Sequence, residues 1–344
     1  MKIRCVCGMI VPGEGVFMKE DKYLSKSYTD RVKGICAIMV VLHHLYLYGG
    51  LFAGTPVGTL LGLSGALAVS VFFFYSGYGL MLSSQKEGYI RGFFRSRFLP
   101  LYCFYVVCVL LYSLWTLWLE GTVPLGKLVL SFFFGDTIVA NGWYLQATFV
   151  IYLIYLFSFS AFRTAKARIL SVSVAVFVYS AICRFAGLGD WWYQTVPCFV
   201  FGMVYHTRKA QIDRLLKKCA WIIFIAGGLL YLIISTAVSI LHVDPLFNWI
   251  HFVFFVCAVI SFSYILSGTP IIDNAFFALC GRYSLESYVS HGLFVMLINY
   301  VFFGNTAIYV STVIAGTVIL SVILKMIYTR AIPCLFRAKR SRPV

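Results

Sequence analysis

Two adjacent histidines, His43 and His44, end an otherwise apolar stretch of this 344-residue sequence. The nine residues before them, from Gly34 to Leu42, carry no charge, which is typical of a helix that crosses a membrane. An imidazole can bind a proton near neutral pH and can therefore act as a general base. A histidine at membrane depth can also serve only to hydrogen-bond a neighbouring helix. The sequence leaves both interpretations open for this pair.

Charged residues precede these histidines at a helical spacing. Lys33 and His44 are eleven residues apart, so on an α-helix they differ by roughly 20° around the axis and by roughly 16 Å along it. His43 lies about 80° away from Lys33 by the same geometry. Asp30, three residues before Lys33, is within reach of its ammonium group. We therefore expect Lys33 and His44 to line one path from the cytoplasmic boundary to the middle of the membrane, with Asp30 holding Lys33 in place.

A second basic group, formed by Arg91, Arg95 and Arg97, comes just before an apolar stretch that begins at Phe98. Arginine binds phosphate through charge-assisted and often bidentate hydrogen bonds. Two arginines one residue apart, next to Pro100 and aromatic residues, favour an anion-binding site. The alternative is that these side chains only orient the helix and contact anionic lipids.

Another histidine stands in the segment G-R-Y-S-L-E-S-Y-V-S-H, which ends at His291. Ser284, Tyr288 and His291 follow one another at spacings of four and three residues, so they share one face of a helix. Glu286 is a carboxylate within reach of the bilayer, where a charge is costly unless it is paired. It is predicted either to pair with Arg282, four residues earlier, or to take part in the chemistry.

Two further motifs place small or aromatic side chains at membrane depth. The segment V-F-F-F-Y-S-G-Y-G contains Ser76 and Tyr78, and its glycines allow another helix or a ligand to approach the backbone closely. We favour helix packing over a nucleophilic role for Ser76. Trp143 opens an apolar stretch from the outside, which by itself is typical of an interfacial anchor.

Most of the chain must lie in a lipid bilayer, because 61% of its residues are hydrophobic and only 12% are charged, against about a quarter charged in soluble domains. We predict an all-α polytopic protein of the cell membrane. A shorter apolar stretch at 128–134 cannot span and is expected to lie in the interface or to re-enter. Ten membrane helices are predicted, at 33–48, 57–83, 98–119, 143–162, 168–185, 191–205, 220–241, 247–266, 271–303 and 307–328.

The formal charge of +16 favours either nucleic acid or a membrane surface as a partner. Lysine and arginine concentrate in alternate loops, which is the positive-inside pattern, so the charge argues against nucleic acid and puts both termini in the cytoplasm. We expect a cytoplasmic tail at 1–29, a transmembrane domain at 30–330 and a basic cytoplasmic tail at 331–344, without a cleaved signal peptide. The eleven cysteines show no metal-binding spacing, so no metal is expected.

The first-helix motif resembles that of the acyltransferase-3 family of integral membrane acyltransferases. In that family the first helix carries an acid, then a basic residue, and then a histidine eleven residues further on. Here these positions are Asp30, Lys33 and His44. The family usually has arginine where this sequence has Lys33. The resemblance covers about residues 28–330.

Three later segments carry the same resemblance in the same order. The family's F-F-x-x-S-G-Y segment is matched almost letter for letter at Phe73–Tyr78. Its arginine-rich segment corresponds to Phe93–Arg97, with Pro100 where a further arginine is common. Its G-x-x-S-x-x-x-Y-x-x-H segment corresponds to residues 281–291, ending at His291.

The resemblance implies a ten-helix membrane core that passes an acyl group, commonly acetyl from acetyl-CoA, to a hydroxyl of a carbohydrate or lipid-linked glycan. It implies that His44 is the catalytic base, and it makes Arg95 and Arg97, with Lys33 and Arg91, candidates for binding the CoA phosphates. A transporter or exporter of a polysaccharide or lipid intermediate is the alternative, since many helices with intramembrane polar residues fit it too. Further candidates for contact with substrate, or for support of the catalytic residue, are His43, Ser76, Tyr78, Trp143, Glu286, Tyr288 and His291.

Overall fold

The computed structural model describes residues 22–297 and 305–336, and all regular elements within them are helices. The α-helices are α1 Lys26–Gly49, α2 Pro56–Ser83, α3 Tyr89–Phe93, α4 Leu99–Glu120, α5 Leu125–Phe132, α6 Trp143–Ala161, α7 Ala165–Phe185, α8 Pro197–Thr207, α9 Lys209–Ile240, α10 Ile250–Leu266, α11 Ala275–Arg282, α12 Ser284–Val295, α13 Thr306–Met326 and α14 Ile332–Phe336. Short π-helical segments at Phe94–Phe98 and Ile327–Ala331 and 3₁₀ turns at Asp190–Trp192 and Pro245–Phe247 join some of them.

In this part of the chain, eight helical stretches are long and apolar enough to cross a membrane. The prediction of an all-α polytopic membrane protein is therefore confirmed. The count of ten spans and the cytoplasmic position of both termini remain predictions. The tail at 1–21, the residues from 337 onwards and the predicted end of the ninth helix at 303 lie outside the described residues.

Two of the ten predicted helices differ from a simple span. The sixth is only the eleven-residue α8, which begins at Pro197, because a residue without an N–H fits the first helical turn. The ninth is broken at Tyr283, whose φ of −104° and ψ of 10° separate α11 from α12. The helix predicted at 271–303 is therefore divided into two helices within the described residues.

Helix α1 begins at Lys26, seven residues earlier than predicted, because the Ser25 side chain caps it by accepting a hydrogen bond from the backbone N–H of Tyr28. Asp30 and Lys33 therefore lie inside the helix. His43 and His44 lie near the C-terminal end of this helix, since its last residue, Gly49, is only five positions after His44. His44 is thus displaced from the middle of the span, toward the end opposite to the basic residues.

An ion-pair cluster ties the start of α1 to the loop before α11. The Asp273 carboxylate lies 2.8 Å from the Lys22 ammonium and 3.0 Å from the Arg31 guanidinium. The hydrogen bond from Lys22, helped by Arg31, holds the pKa of Asp273 below its usual range. A lowered carboxyl pKa stabilises the fold at neutral pH, and that contribution is lost as the pH falls through the lowered value.

Two pairs of helices pack with their backbones in contact. A Cβ added at Gly281 would overlap the carbonyl oxygen of Asp30, so α11 lies directly against α1. A Cβ at Gly77 would overlap the carbonyl oxygen of Phe199, and Gly202 meets α2 in the same way. Such close approach through small residues is a main source of helix association in membranes. Gly77, next to Ser76, therefore serves helix packing, as the sequence favoured.

Candidate active site

A cavity of about 970 Å³ opens at the end of the bundle where α1 and α4 end and α6 begins. His43 and His44 line its inner part, and Trp143, Trp192 and Tyr288 line its walls. Acidic and amide side chains, listed here, complete the lining: Glu120, Asp136, Asn141, Asp190 and Gln194. The cavity thus combines aromatic faces with hydrogen-bonding groups around a pair of imidazoles.

His44 forms a hydrogen-bonded pair with His291, which comes from α12. The His44 Nδ1 atom lies 3.1 Å from His291 Nε2 and 2.9 Å from the carbonyl oxygen of Val40. The His291 Nδ1 atom lies 3.1 Å from the carbonyl oxygen of Ser287. Both imidazoles are buried, His291 completely and His44 to 8% exposure. The pair therefore belongs to the interior of the bundle and not to its lipid-facing surface.

These contacts assign the protons of the neutral pair. Carbonyl oxygens only accept hydrogen bonds, so each Nδ1 must carry a hydrogen. His291 Nε2 then accepts from His44 Nδ1–H, which it shares with Val40. None of these contacts uses His44 Nε2, so its lone pair is open to a substrate in the cavity that this residue lines and to the Asn141 side chain, which interacts with the ring. A histidine oriented through one nitrogen and free at the other is the arrangement that general-base catalysis requires.

His43 takes part in the cavity in a different way. Its Nδ1 lies 2.9 Å from the carbonyl oxygen of Leu61, on α2. A Cβ at Gly65 would collide with its ring, so the imidazole fills the space that this glycine leaves. His43 therefore joins α1 to α2, which matches the helix-bridging interpretation for one member of the pair.

Tyr288 connects the histidine pair to the loop before α6. Its hydroxyl donates to the carbonyl oxygen of Asn141 at 2.5 Å, and its ring packs on Tyr144 at 5.2 Å and on His291 at 6.0 Å. Trp143 lines the cavity as well as opening α6. Both residues were sequence candidates, and both line the cavity that His44 lines.

Sequence analysis missed Asn141, which lines the cavity and whose side chain faces the His44 imidazole. Its amide nitrogen is buried and has no hydrogen-bond partner among the described residues. Its φ of +61° is a left-handed conformation that asparagine tolerates. The Asn-Gly pair before Trp143 is a turn signal that could have drawn attention to it. An unpaired amide beside a base is suited to donate to an oxyanion.

The loop that carries Asn141 is held by Gln146, on α6. The Gly135 N–H donates to the side-chain oxygen of Gln146 at 3.0 Å. The Gln146 amide nitrogen donates to the Tyr105 hydroxyl and to the carbonyl oxygen of Leu130, both at 3.2 Å. The short helix α5, at the apolar stretch predicted not to span, is thereby fixed against α4 and α6. Gln146 was also missed, because nothing in its local sequence indicates these long-range partners.

The predicted donor-binding residues lie elsewhere. Asp30 pairs with Lys26 at 2.7 Å and lies 3.8 Å from the Lys33 ammonium, so the expected Asp30–Lys33 contact is present. Arg91, Arg95 and Arg97 are exposed, on α3 and the π-helical segment that follows it. Within the described ranges no acidic side chain pairs with these three arginines. These three arginines do not line the cavity that contains His43 and His44, which we call the histidine cavity.

The remaining candidates do not line the cavity either. Tyr78 packs against the His206 ring at 5.3 Å, and Ser76 interacts with Tyr144.

The predicted pairing of Glu286 with Arg282 is wrong. Glu286 is completely buried and its carboxylate lies 3.2 Å from the Lys325 ammonium, on α13. The break at Tyr283 removes the continuous helical turn that would bring Arg282 beside Glu286, and Arg282 is exposed.

Comparison with known proteins agrees with these features. A family model described as an acyltransferase domain matches residues 26–326. Over 151 residues the chain is 32% identical to a protein named acyltransferase MdmB from Streptomyces mycarofaciens, a match that covers 38% of this chain and 39% of that protein. The chain thus aligns with about two fifths of the length of this relative, and no solved structure matches it. Since the family model covers most of the chain, this protein belongs to the acyltransferase-3 family.

Proposed function

We propose that this protein transfers an acyl group, acetyl in the simplest case, from cytosolic acyl-CoA to a hydroxyl of a carbohydrate or lipid-linked glycan. Family membership supports acyl transfer. The observation that carries the proposed chemistry is the free Nε2 of His44, in a cavity lined by tryptophans and hydrogen-bonding side chains. Indole faces and amide or carboxylate groups are suited to the apolar faces and hydroxyls of sugars.

In the proposed reaction His44 Nε2 takes the proton of the acceptor hydroxyl. The oxygen forms a bond to the thioester carbonyl carbon, the carbon–sulfur bond breaks, and CoA leaves as a thiolate. The proton held by His44 then returns to the thiolate sulfur. His291 keeps the His44 ring in the required tautomer, and the Asn141 amide is placed to donate to the carbonyl oxygen as it gains negative charge.

The two substrates are proposed to approach from opposite ends of the bundle. Exposed arginines at the end where α3 begins would bind the CoA phosphates. The thioester then has roughly 16 Å to travel from the level of Lys33 to that of His44, which a pantetheine arm can span. The acceptor enters through the cavity at the other end. This arrangement supports a cytosolic donor and an acceptor on the far side of the membrane.

Purified protein given labelled acetyl-CoA and a glycan-containing membrane extract tests the proposal directly. We expect label to become covalently attached to a glycan or lipid-linked acceptor, with release of one CoA per acyl group. Movement of an acceptor across the membrane without covalent label would instead identify a transporter, and acyl transfer would then be rejected.

Loss of the basic group should weaken donor binding specifically. In a protein with Arg95→Ala and Arg97→Ala we expect the KM for acyl-CoA to rise about tenfold, which corresponds to about 1.4 kcal/mol. The KM for the acceptor should not change, because the acceptor cavity is elsewhere. Initial rates over a range of donor concentrations measure this effect.

A matched control removes two other exposed basic residues. Arg163, in the turn between α6 and α7, and Lys166, in the first turn of α7, lie at the same end of the bundle and are exposed. Their alanine variant should keep the wild-type KM for acyl-CoA. An equal rise in both double variants would mean that only general surface charge matters, and the phosphate site would be rejected.

A further inference from the structure

A second polar cavity, of about 460 Å³, adjoins the histidine cavity. Ala66, Asp190 and Gln194 line both cavities, so the two spaces meet at these side chains. The second cavity lies between the start of α2, the end of α9 and the start of α10. Its lining includes Ser235, Asn248 and His251, which are polar groups at a place where lipid-facing helices normally carry aliphatic side chains.

Two of these groups lack a partner. His251 is only 6% exposed, and its Nδ1 has no hydrogen bond within the described residues. The Asn248 side-chain oxygen is buried and likewise unpaired there. The His251 ring is fixed between Tyr231 at 5.7 Å and Phe252 at 4.1 Å, so it cannot readily turn toward another partner. Buried polar groups in native proteins normally have partners, and each exception needs an explanation.

The junction between the cavities is also polar. The Gln194 amide nitrogen donates to the Asp190 carboxylate at 2.9 Å, which fixes both side chains where the spaces meet. Asp190 keeps acceptor capacity for hydroxyls, because a carboxylate has about four lone-pair sites. Trp191 and Trp192 follow Asp190 in the 3₁₀ turn and line the first cavity. Hydrogen-bonding groups therefore continue from His43 and His44, in the first cavity, through this junction to His251, in the second.

We propose that the second cavity is an acceptor subsite that binds the sugar residue next to the one that is acylated. The inference rests on the proposed function and adds that the acceptor is an oligosaccharide, or an oligosaccharide portion of a larger molecule. The acylated sugar occupies the His44 cavity, and its neighbour donates hydroxyl protons to His251 Nδ1 and to the Asn248 oxygen. A ligand there satisfies the polar atoms that the fold leaves unpaired.

The test compares acceptors of different length. Wild-type protein and a His251→Phe variant, both reconstituted in lipid nanodiscs, are given labelled acetyl-CoA. The acceptors are methyl glycosides of glucose, galactose, mannose and N-acetylglucosamine, each paired with a disaccharide of the same sugar. Phenylalanine keeps a planar ring between Tyr231 and Phe252 but has no nitrogen. We expect wild type to prefer the disaccharide, and His251→Phe to raise the disaccharide KM about tenfold, while kcat/KM for the monosaccharide stays unchanged.

A control histidine separates a subsite from a general effect. His206 also has a buried, unpaired Nδ1 within the described residues, but it lies beside Tyr78, outside both cavities. His206→Phe should leave both acceptors unaffected. A second variant, Asn248→Leu, should reproduce the disaccharide-specific loss.

Other outcomes overturn the subsite. If His251→Phe lowers kcat/KM equally for the two acceptors, the residue is structural. If it changes neither, or if wild type accepts no saccharide and no disaccharide raises its Tm, the cavity binds no sugar. Release of CoA from acetyl-CoA in the glycan-containing extract is scored separately, so that failure of the subsite is not confused with failure of acyl transfer itself.

Discussion

Replacement of His44 with alanine is expected to lower kcat by about 10²–10⁴-fold, which is the range that a positioned general base contributes. The variant loses the free Nε2 that the contacts with His291 and Val40 leave available. Donor and acceptor KM values should change little, because the arginines and the second cavity are untouched. Initial rates with labelled acetyl-CoA, at equal amounts of membrane-inserted protein, measure the loss.

His43→Ala is the matched comparison, since it removes an adjacent imidazole from the same cavity. His43 uses its Nδ1 to contact Leu61, so we expect a milder loss of activity and some loss of thermal stability. A His44→Ala protein with wild-type kcat, or a His43→Ala protein that is the more severely impaired, would contradict the assignment of the base.

His291→Leu is expected to lower kcat by about 10²-fold, with unchanged KM values. His291 is a positioning residue: its Nε2 accepts the Nδ1–H of His44 at 3.1 Å and so keeps the proton off Nε2 of His44. Without His291 only the Val40 carbonyl oxygen holds the Nδ1–H of His44, so the other tautomer, which has no lone pair toward the substrate, is populated more. Loss of an orienting partner of this kind lowers kcat by about 10⁴-fold in serine proteases, where the partner is a full carboxylate.

His291→Gln is a control that distinguishes acceptance of the His44 hydrogen bond from a purely structural role of His291. The glutamine side-chain oxygen can accept the same hydrogen bond, whereas leucine cannot. We expect the glutamine variant to recover at least tenfold of the activity lost with leucine, at a similar Tm. Equal activity of the two variants would mean that His291 acts by filling space, and the tautomer argument would fail.

The sequence predicted individual residues of the site but not the contacts between them. His44 and His291 were both singled out, because imidazoles at membrane depth are rare and costly. Their partnership was not predictable, since they are 247 residues apart and hydropathy does not reveal which helices meet. Gln146 could not be predicted for the same reason, since its partners lie on other helices, whereas the Asn-Gly pair is a local signal for Asn141.

The fold was predicted well where composition decides it and less well where local backbone geometry does. Apolar stretches located the eight long helices to within a few residues at most ends. The Ser25 cap moved the start of α1 back to Lys26, and the helix predicted at 191–205 begins only at Pro197. The break at Tyr283 separated Arg282 from Glu286, and Glu286 forms an ion pair with Lys325 instead. Each of these differences depends on one residue's backbone conformation, to which a pattern averaged over many residues is insensitive.

The backbone contact between Gly281 and Asp30 has a consequence for how the protein responds to its lipid environment. Helices adjust to a bilayer that is thicker or thinner than their apolar length mainly by tilting. Since no side chain separates α11 from α1 at this contact, these helices must tilt as one body. His44 lies on α1, and His291 lies on α12, which begins at Ser284 with only Tyr283 between it and α11. The distance between the two imidazoles should therefore be preserved in membranes of different thickness, even where the mouths of the bundle change shape.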